Sequence, residues 1–373
     1  MEKNDLPDKP QEPPGLPPYT LVNLPEEILS EPEIPADHLK LIPRLDHSQA
    51  TLAERLEAFE DLTDSEVGDT SLVRARNLER EFGIRQLYLK FEGGNPTGTH
   101  KDRIAFAQCM DALRRGYDTI TVATCGNYGV ATAFAGKQAG LRTIVYIPAS
   151  YHTRRLDEME KLGAEIVRVN GDYETSVAVS QEDAARHEWY DANPGGNNTL
   201  LQLQAYGEIA YEIYDILRDA PRAIACPVSN GTVLAGIYKG FLRLYRRGKI
   251  SRIPRMVTGS AYRKNPIVEA FVGGKSYCED LSPEDIHETD VNEPLINWHA
   301  FDGEVALDCI RETDGWAMNI SDRKMIAFAR LLKEKEGVHV LPASTAGLIS
   351  LIEKHKKSPL EPDRYVAVLT GRK

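Results

Sequence analysis

The chain has 373 residues, 42% of them hydrophobic, and a formal net charge of -11 at pH 7. This length is enough to bury a large core, either as two domains or as one large α/β unit. The acidic balance argues against nucleic acid as the main partner, because phosphate backbones are bound by basic surfaces. The five cysteines are scattered and form no C-x-x-C pair, which argues against a zinc ribbon and favours reduced thiols in a cytoplasmic protein.

The N-terminal region is rich in proline. Residues 1–43 contain ten of the 22 prolines, which predicts an extended arm lying on the body of the protein. It has no apolar core of a signal peptide, and no apolar run in the chain is long enough to cross a bilayer. The stretch SQATLAERLEAFEDL that follows is amphipathic and predicts a helix. We therefore assign residues 1–64 to an arm plus one helix.

From about residue 65 the sequence alternates apolar, β-branched runs with amphipathic runs. The predicted strands are LYLKFE, TITVATC, TIVYIP, AEIVRV, RAIACPV and YVAVLT. The predicted helices are IAFAQCMDALRRG, VATAFAGKQAG, RRLDEMEKLG and VLAGIYKGFLRLYRRG. This alternation predicts parallel strands joined by crossover helices, and hence an open α/β sheet with helices on both faces. The acidic section 261–310 shows no clear periodicity.

Polar clusters follow four of the predicted strands. Ligands of open α/β sheets bind beyond the carboxyl ends of the strands, so these clusters are candidate site residues. They are Cys125-Gly126-Asn127-Tyr128-Gly129, the run from Ala149 to Arg155, Ser229-Asn230-Gly231-Thr232, and Thr370-Gly371-Arg372.

Lys101 in GGNPTGTHKDR directly follows a turn cluster and directly precedes a helical run. One interpretation is a solvated residue in the first turn of a helix. The other is a catalytic amine, because a helix N-terminus disfavours a cation and a lowered pKa would supply the neutral amine that imine chemistry needs.

Two other clusters also allow two interpretations. The turn Ser229–Thr232 opens a helix, so its backbone N–H groups suit a phosphate, although Ser229 or Asn230 could simply be an N-cap. It matches neither the dinucleotide fingerprint nor a Walker loop. Cys125 lacks the spacing of a nucleophile elbow, which favours a structural or polar-contact role over that of a nucleophile.

Taken in order, these motifs resemble those of the fold-type II pyridoxal-phosphate enzymes (the tryptophan synthase β-like superfamily), and most closely the threonine synthase family. The motifs are GDTSLVRAR, NPTGTHKDR, TCGNYG, PVSNGTVLAG, PASTAGL and LTG. The resemblance implies an α/β fold of two open, twisted, mainly parallel sheets flanked by helices, with the cofactor in the cleft between domains. It also implies a catalytic region over 65–373, with a smaller mobile subdomain at about 105–205 inserted in the larger cofactor domain.

The same resemblance implies roles for individual residues. Lys101 would be the Schiff-base lysine, Asn127 would meet the phenolic oxygen of pyridoxal phosphate, and Thr370 would bond its pyridine nitrogen. The cofactor phosphate would lie on Ser229, Asn230, Gly231 and Thr232. Position suggests two further roles. The loop that contains Thr124, Cys125, Gly126 and Tyr128 opens a helix beside Asn127, so its N–H groups would receive the α-carboxylate of the substrate. Arg154 and Arg155 follow a strand end and would take a substrate phosphate, or else form a solvated helix start.

Besides Ser71, which stands where proline is usual, three positions depart from the family pattern, and they concern the substrate more than the cofactor. His100 stands where phenylalanine is usual, Cys125 where serine is common, and Leu341 where glutamate precedes P-A-S. The function implied first is a carbon–oxygen lyase that converts O-phosphohomoserine and water to threonine and phosphate. The alternatives are β-replacement of the cysteate-synthase or cysteine-synthase kind, dehydration of serine or threonine, and cofactor binding without turnover. We expect a cytoplasmic homodimer that acts on a small, phosphorylated amino acid and needs no metal.

Overall fold

The computed structural model describes residues 49–124, 126–150 and 155–373. The predicted N-terminal arm therefore lies outside the described residues. The predicted amphipathic helix is confirmed as α1 (Leu52–Glu66). A capping box starts it: the Thr51 hydroxyl accepts from the Glu54 N–H, and the Glu54 carboxylate accepts from the Thr51 N–H.

Six strands form the larger sheet. They are β1 (Leu72–Arg74), β2 (Leu87–Phe91), β7 (Ala223–Pro227), β8 (Arg255–Ala261), β9 (Trp316–Ile320) and β10 (Tyr365–Leu369). Their order is β1-β2-β10-β7-β8-β9, and β1 pairs antiparallel to β2 while the other pairs are parallel. The pairing of Leu369 with Phe91 brings the end of the chain beside the segment that leads to Lys101.

Four parallel strands form the smaller sheet. They are β3 (Thr119–Ala123), β4 (Arg142–Pro148), β5 (Glu165–Val169) and β6 (Tyr190–Asp191), in the order β5-β4-β3-β6. Every residue of β3, and of β7 and β10 in the larger sheet, is buried. Burial on both faces explains why these strands read as continuous apolar runs instead of alternating ones.

Helices cover both sheets. After α1 they are α2 (Arg76–Phe82), α3 (Lys101–Arg114), α4 (Asn127–Ala139), α5 (Leu156–Lys161), α6 (Tyr173–His187), α7 (Thr199–Leu217), α8 (Thr232–Arg246), α9 (Pro266–Val272), α10 (Gly303–Glu312), α11 (Asp322–Glu336) and α12 (Ala346–Lys357). Helices α7 and α8 pack closely at a pair of glycines, because a Cβ on Gly240 would lie 2.4 Å from the carbonyl oxygen of Gly207. Within the described ranges, no helix has the length and apolar character required of a membrane span.

The predicted fold class is confirmed, and so are the six predicted strands, which correspond to β2, β3, β4, β5, β7 and β10. The prediction missed the short edge strand β1, the two-residue β6, and both β8 and β9. Section 261–310 is largely irregular, but it also contains α9 and most of α10. The domain boundary at residue 64 and the subdomain at about 105–205 stay predictions.

Candidate active site

A cavity of about 640 Å³ opens at the carboxyl ends of strands from both sheets. This volume suits a small cofactor together with a small substrate. Its lining includes residues that follow β3, β4 and β5 of the smaller sheet and residues that follow β7 and β10 of the larger sheet. The strand-end clusters singled out in the sequence therefore meet in one place, as expected for parallel sheets.

Lys101 is the first residue of α3 and faces this cavity. Its Nζ lies 5.3 Å from the centroid of the Tyr128 ring, and it makes no hydrogen bond or ion pair with any other described residue. Burial lowers the pKa of the amine to about 8, against the opposing charges of Asp302 and Glu293. A larger fraction of this amine is therefore neutral near neutral pH than for an ordinary lysine, which favours the catalytic interpretation.

The residues next to Lys101 are fixed by buried polar contacts. The Asp102 carboxylate accepts from the Thr97 N–H at 2.9 Å and from the Thr97 hydroxyl at 2.7 Å, which closes the turn before the lysine. The Arg103 guanidinium lies 2.6 Å from carboxylate oxygens of both Glu92, at the end of β2, and Glu212, on α7. The start of α3 is thus held to the larger sheet and to a neighbouring helix.

The loop after β3 presents main-chain donors. The Thr124 hydroxyl accepts from the N–H groups of Gly126 at 3.1 Å and Gly129 at 3.3 Å, which shapes the turn into α4. The N–H groups of Asn127 and Tyr128 have no acceptor among the described residues. The Tyr128 hydroxyl donates to the carbonyl of Ala192 at 2.7 Å, which holds the ring beside Lys101. Two free N–H groups at a helix N-terminus suit a carboxylate.

The turn between β7 and α8 fits a phosphate. Gly231 has φ +99°, and a Cβ there would lie 2.7 Å from the carbonyl oxygen of Asp302, so the position requires glycine. The N–H groups of Gly231, Thr232 and Val233 have no acceptor in the part of the chain that the structure describes. The Thr232 hydroxyl donates to the Asp302 carboxylate. The donors that this turn offers are therefore mainly main-chain N–H groups, the type of donor with which helix N-termini bind phosphate.

Two asparagines that the sequence did not indicate make hydrogen bonds that support this turn. The Asn265 side-chain amide donates to the Ser229 carbonyl at 3.0 Å and to the Asn297 side chain at 2.9 Å. Asn297 in turn donates to the Asn230 side chain at 3.3 Å. Asn265-Pro266 is a recognisable helix start, because the Asn265 side chain caps α9. Nothing in the sequence of the irregular section connects either asparagine to the phosphate turn.

Thr370 follows β10 and lines the cavity. Its carbonyl accepts from the His100 N–H at 2.9 Å, and its hydroxyl lies 3.2 Å from the Ser344 hydroxyl. Ser344 also lines the cavity. It belongs to the PASTAGL motif, from which the sequence predicted no role for it.

The structure places most of the predicted site residues around this cavity. Arg155 is different: it is fully buried and is not among the lining residues. Its guanidinium donates to the Asn127 side-chain oxygen at 3.2 Å and lies 3.3 Å from the Glu158 carboxylate. Cys125 and Arg154 lie outside the described residues. The predicted residues that line the cavity are Lys101, Thr124, Gly126, Asn127, Tyr128, Ser229, Asn230, Gly231, Thr232 and Thr370.

Several carboxylates that the sequence reading missed also line the cavity. Burial raises the pKa of Glu174, whose carboxylate accepts from the Trp298 N–H at 3.1 Å. The Asp172 carboxylate accepts from the Trp298 indole N–H at 2.8 Å. The set is Asp172, Glu174, Glu288 and Glu293. Asp172 comes from the loop after β5, Glu174 from the first turn of α6, and Glu288 and Glu293 from the irregular section, where no motif marked them.

The fold and the cavity suit a class of enzyme that binds a phosphorylated cofactor, because a lysine amine and a helix N-terminus face one cavity between two mainly parallel sheets. Residues 63–371 match the sequence model of a family described as pyridoxal-phosphate dependent enzyme. The chain belongs to this family, and its cofactor is pyridoxal phosphate.

Relatives and a solved structure agree with this placement. The chain is 30% identical to the threonine synthase of Methanocaldococcus jannaschii over 307 residues, 82% of this chain and 74% of that protein. It is also 30% identical to the threonine synthase of Methanosarcina acetivorans over 305 residues, 81% and 74% of the two chains. A pyridoxal 5'-phosphate-dependent aspartate racemase has a similar fold, with a TM-score of 0.69, 18% identity, and coverage of 87% of this chain and 96% of that chain.

Proposed function

We propose that the protein is a pyridoxal-phosphate-dependent carbon–oxygen lyase of the threonine synthase kind, which converts O-phosphohomoserine and water to threonine and phosphate. The observation that carries this proposal is the convergence of Lys101, Asn127, the turn Ser229–Thr232 and Thr370 on one cavity. The similarity to threonine synthases over four fifths of the chain supports the choice of reaction.

In this proposal the described residues hold the cofactor as follows. Lys101 binds it covalently, the N–H groups at the start of α8 hold its phosphate, Asn127 contacts its phenolic oxygen and Thr370 contacts its pyridine nitrogen. The bound cofactor supplies an electron sink for the carbon that carries the substrate's amino group. The Thr370 hydroxyl is a neutral partner, which stabilises a proton on the ring nitrogen less than a carboxylate would. This suits elimination and replacement more than transamination.

Lys101 then moves protons on the substrate. An amine with a pKa of about 8 is both available as a base and effective as an acid near neutral pH. The amine lies over the Tyr128 ring, next to the loop after β3. In this proposal the substrate's α-carboxylate accepts from the N–H groups of Asn127 and Tyr128 in that loop. The reacting carbon is thereby placed between its anchoring carboxylate and its base.

The leaving phosphate of the substrate requires cationic ligands. Arg154 and Arg155 remain its proposed ligands, although Arg155 is turned toward Asn127 and Glu158 in this structure. Among the described lining residues, Lys101 is the one lysine or arginine. The four carboxylates of the lining would repel a phosphate that approached them. This observation favours, as a second candidate, dehydration of an unphosphorylated serine or threonine, or β-replacement on a neutral donor.

A product assay separates these candidates. With O-phospho-L-homoserine, the proposed reaction releases phosphate and forms threonine in equal amounts, and the Lys101→Ala variant forms neither. Ammonia released from serine or threonine, without turnover of the phosphorylated substrate, would replace the proposal with the dehydratase. Consumption of an added thiol or sulfite would instead identify β-replacement.

We further propose that the protein is a cytoplasmic homodimer with a small amino acid as its substrate. Light scattering of the purified protein checks the oligomeric state. A monomer at working concentration would contradict that part of the proposal.

A further inference from the structure

The His100 imidazole lies between the Tyr206 ring and the last residues of the chain. It stacks on Tyr206 with ring centroids 5.3 Å apart and an angle of 28° between the ring planes. Its Nδ1 lies 3.0 Å from the Thr370 carbonyl oxygen. A carbonyl oxygen can only accept, so Nδ1 carries the hydrogen and donates it.

The imidazole is therefore the neutral Nδ1–H tautomer, with a lone pair on Nε2. Burial, and then the neighbouring charge of Lys101, hold the pKa of His100 well below its ordinary value. No described residue makes a hydrogen bond to Nε2. The hydrogen bond to Thr370 thus determines which ring nitrogen carries the hydrogen, and it also holds the Thr370 carbonyl in position.

Thr370 is held at both of its polar ends. Its carbonyl accepts twice from one residue, from the His100 N–H at 2.9 Å and from the His100 Nδ1–H at 3.0 Å. Its hydroxyl lies 3.2 Å from the Ser344 hydroxyl. An isolated antiparallel bridge between Thr99 and Gly371 joins the same two segments. The imidazole is the side chain of His100 that takes part in these contacts, and His100 directly precedes Lys101 in the chain.

We propose that His100 is a positioning residue that acts through Thr370. Its Nδ1–H fixes the peptide group of Thr370 and so keeps the Thr370 hydroxyl directed at the ring nitrogen of the cofactor. The inference rests on the role proposed above for Thr370 and goes beyond the proposed reaction, because it assigns a function to His100, a residue of the cavity lining that has no role in that scheme.

Three substitutions separate the parts of the imidazole. His100→Phe keeps an aromatic ring on Tyr206 and removes the donor. His100→Asn places an amide nitrogen at the same distance from the main chain as Nδ1 and removes the ring. His100→Gln reaches the position of Nε2. The readouts are the cofactor dissociation constant of the apoprotein, from fluorescence titration, and the melting temperature of the apoprotein.

We expect His100→Phe to weaken cofactor binding by roughly two- to tenfold, as for the loss of one buried hydrogen bond. We expect His100→Asn to bind the cofactor within about twofold of the wild type. If His100→Gln restores binding and His100→Asn does not, the inference is overturned in favour of a role for Nε2. A loss in His100→Phe that follows only a fall in apoprotein melting temperature, shared by His100→Asn, would overturn it in favour of a packing role.

A double-mutant cycle with Thr370→Val tests whether the effect passes through Thr370. We expect His100→Phe to cost nothing further once the Thr370 hydroxyl is gone, because coupled residues are not additive. Additive losses would overturn the inference while leaving the role of Thr370 intact. If Thr370→Val alone binds the cofactor as well as the wild type, both assignments fail. The reaction itself is judged separately, by the product assay.

Discussion

At Lys101, two effects act in the same direction on one amine. A helix N-terminus disfavours a cation, and burial lowers the pKa to about 8 even though the carboxylates of Asp302 and Glu293 oppose it. The position of a lysine between a turn and a helix was readable from the sequence. The extent of its burial was not, because the loop after β3 and the Tyr128 ring that cover it come from elsewhere in the chain.

Amine labelling of the apoprotein measures this pKa. The neutral amine reacts and the protonated amine does not, so labelling of the peptide that contains Lys101 should rise with pH and reach half its plateau at about pH 8. Other lysine peptides in the same digest serve as the reference. Labelling that keeps rising toward pH 10, as for an ordinary lysine, would contradict the prediction.

The same pKa fixes the sign of a stability effect. The folded apoprotein binds fewer protons at Lys101 than the unfolded chain does between about pH 8 and the ordinary lysine value. Below that window the buried ammonium lowers the free energy of unfolding, so it destabilises the folded protein. This destabilisation decreases as pH rises through the window. Lys101→Met should remove this part of the pH dependence, as seen in apoprotein melting curves. An unchanged profile in Lys101→Met would show that other groups cause it.

Among the structural elements, the turn into α8 depends on one glycine. Gly231→Ala should weaken cofactor binding at least tenfold, because the new Cβ meets the Asp302 carbonyl and the backbone has φ +99°. Gly337→Ala is the matched control, since Gly337 has φ +70° but no atom within 4 Å of a Cβ. It should cost about 1 kcal/mol of stability and leave cofactor affinity unchanged. Equal affinities for the two variants would show that the turn does not hold the phosphate.

Buried charges at the end of β2 join this strand to helix α3. Glu92 is fully buried and pairs with Arg103 at 2.6 Å. Glu92→Gln should therefore destabilise the protein by about 3 kcal/mol, because the buried cations Arg103 and Lys90 would then share the single carboxylate of Glu212. Thermal melting monitored by circular dichroism checks this. Glu165→Gln, which breaks the exposed pair with Arg142, is the control and should change the melting temperature little. Similar shifts in both variants would contradict the structural role of Glu92.

The strands that were predicted correctly show a clear apolar pattern in their own sequence, whereas some of the strands that were missed do not. Strands such as β3, β7 and β10 are buried on both faces and show it as unbroken apolar runs. Strand β8 is also buried, but its sequence RMVTGSA is interrupted by Gly259. That glycine is explained only by tertiary packing, since a Cβ there would lie 2.3 Å from the Ala346 carbonyl oxygen on α12.

At the scale of the whole molecule, the site exists because two parallel sheets present their carboxyl ends to one cavity. The strand-end rule and the motifs identified most of the cofactor-facing positions in advance. They did not reveal the carboxylates of the lining, such as Glu174 at the start of α6, or the contact of the buried Arg155 with Asn127. Both depend on tertiary packing between segments far apart in the chain, which no local pattern encodes. This is why the cofactor was predictable from the sequence and the leaving group was much less so.

We propose that these strand ends form one cofactor site with Lys101 as its covalent anchor. Borohydride reduction of the purified holoenzyme, followed by proteolysis and mass mapping of every lysine peptide, tests this assignment. We expect the added mass of the reduced cofactor on Lys101 alone, and its loss in Lys101→Ala. Attachment to any other lysine, or a protein that takes up pyridoxal phosphate without attachment at Lys101, would contradict it.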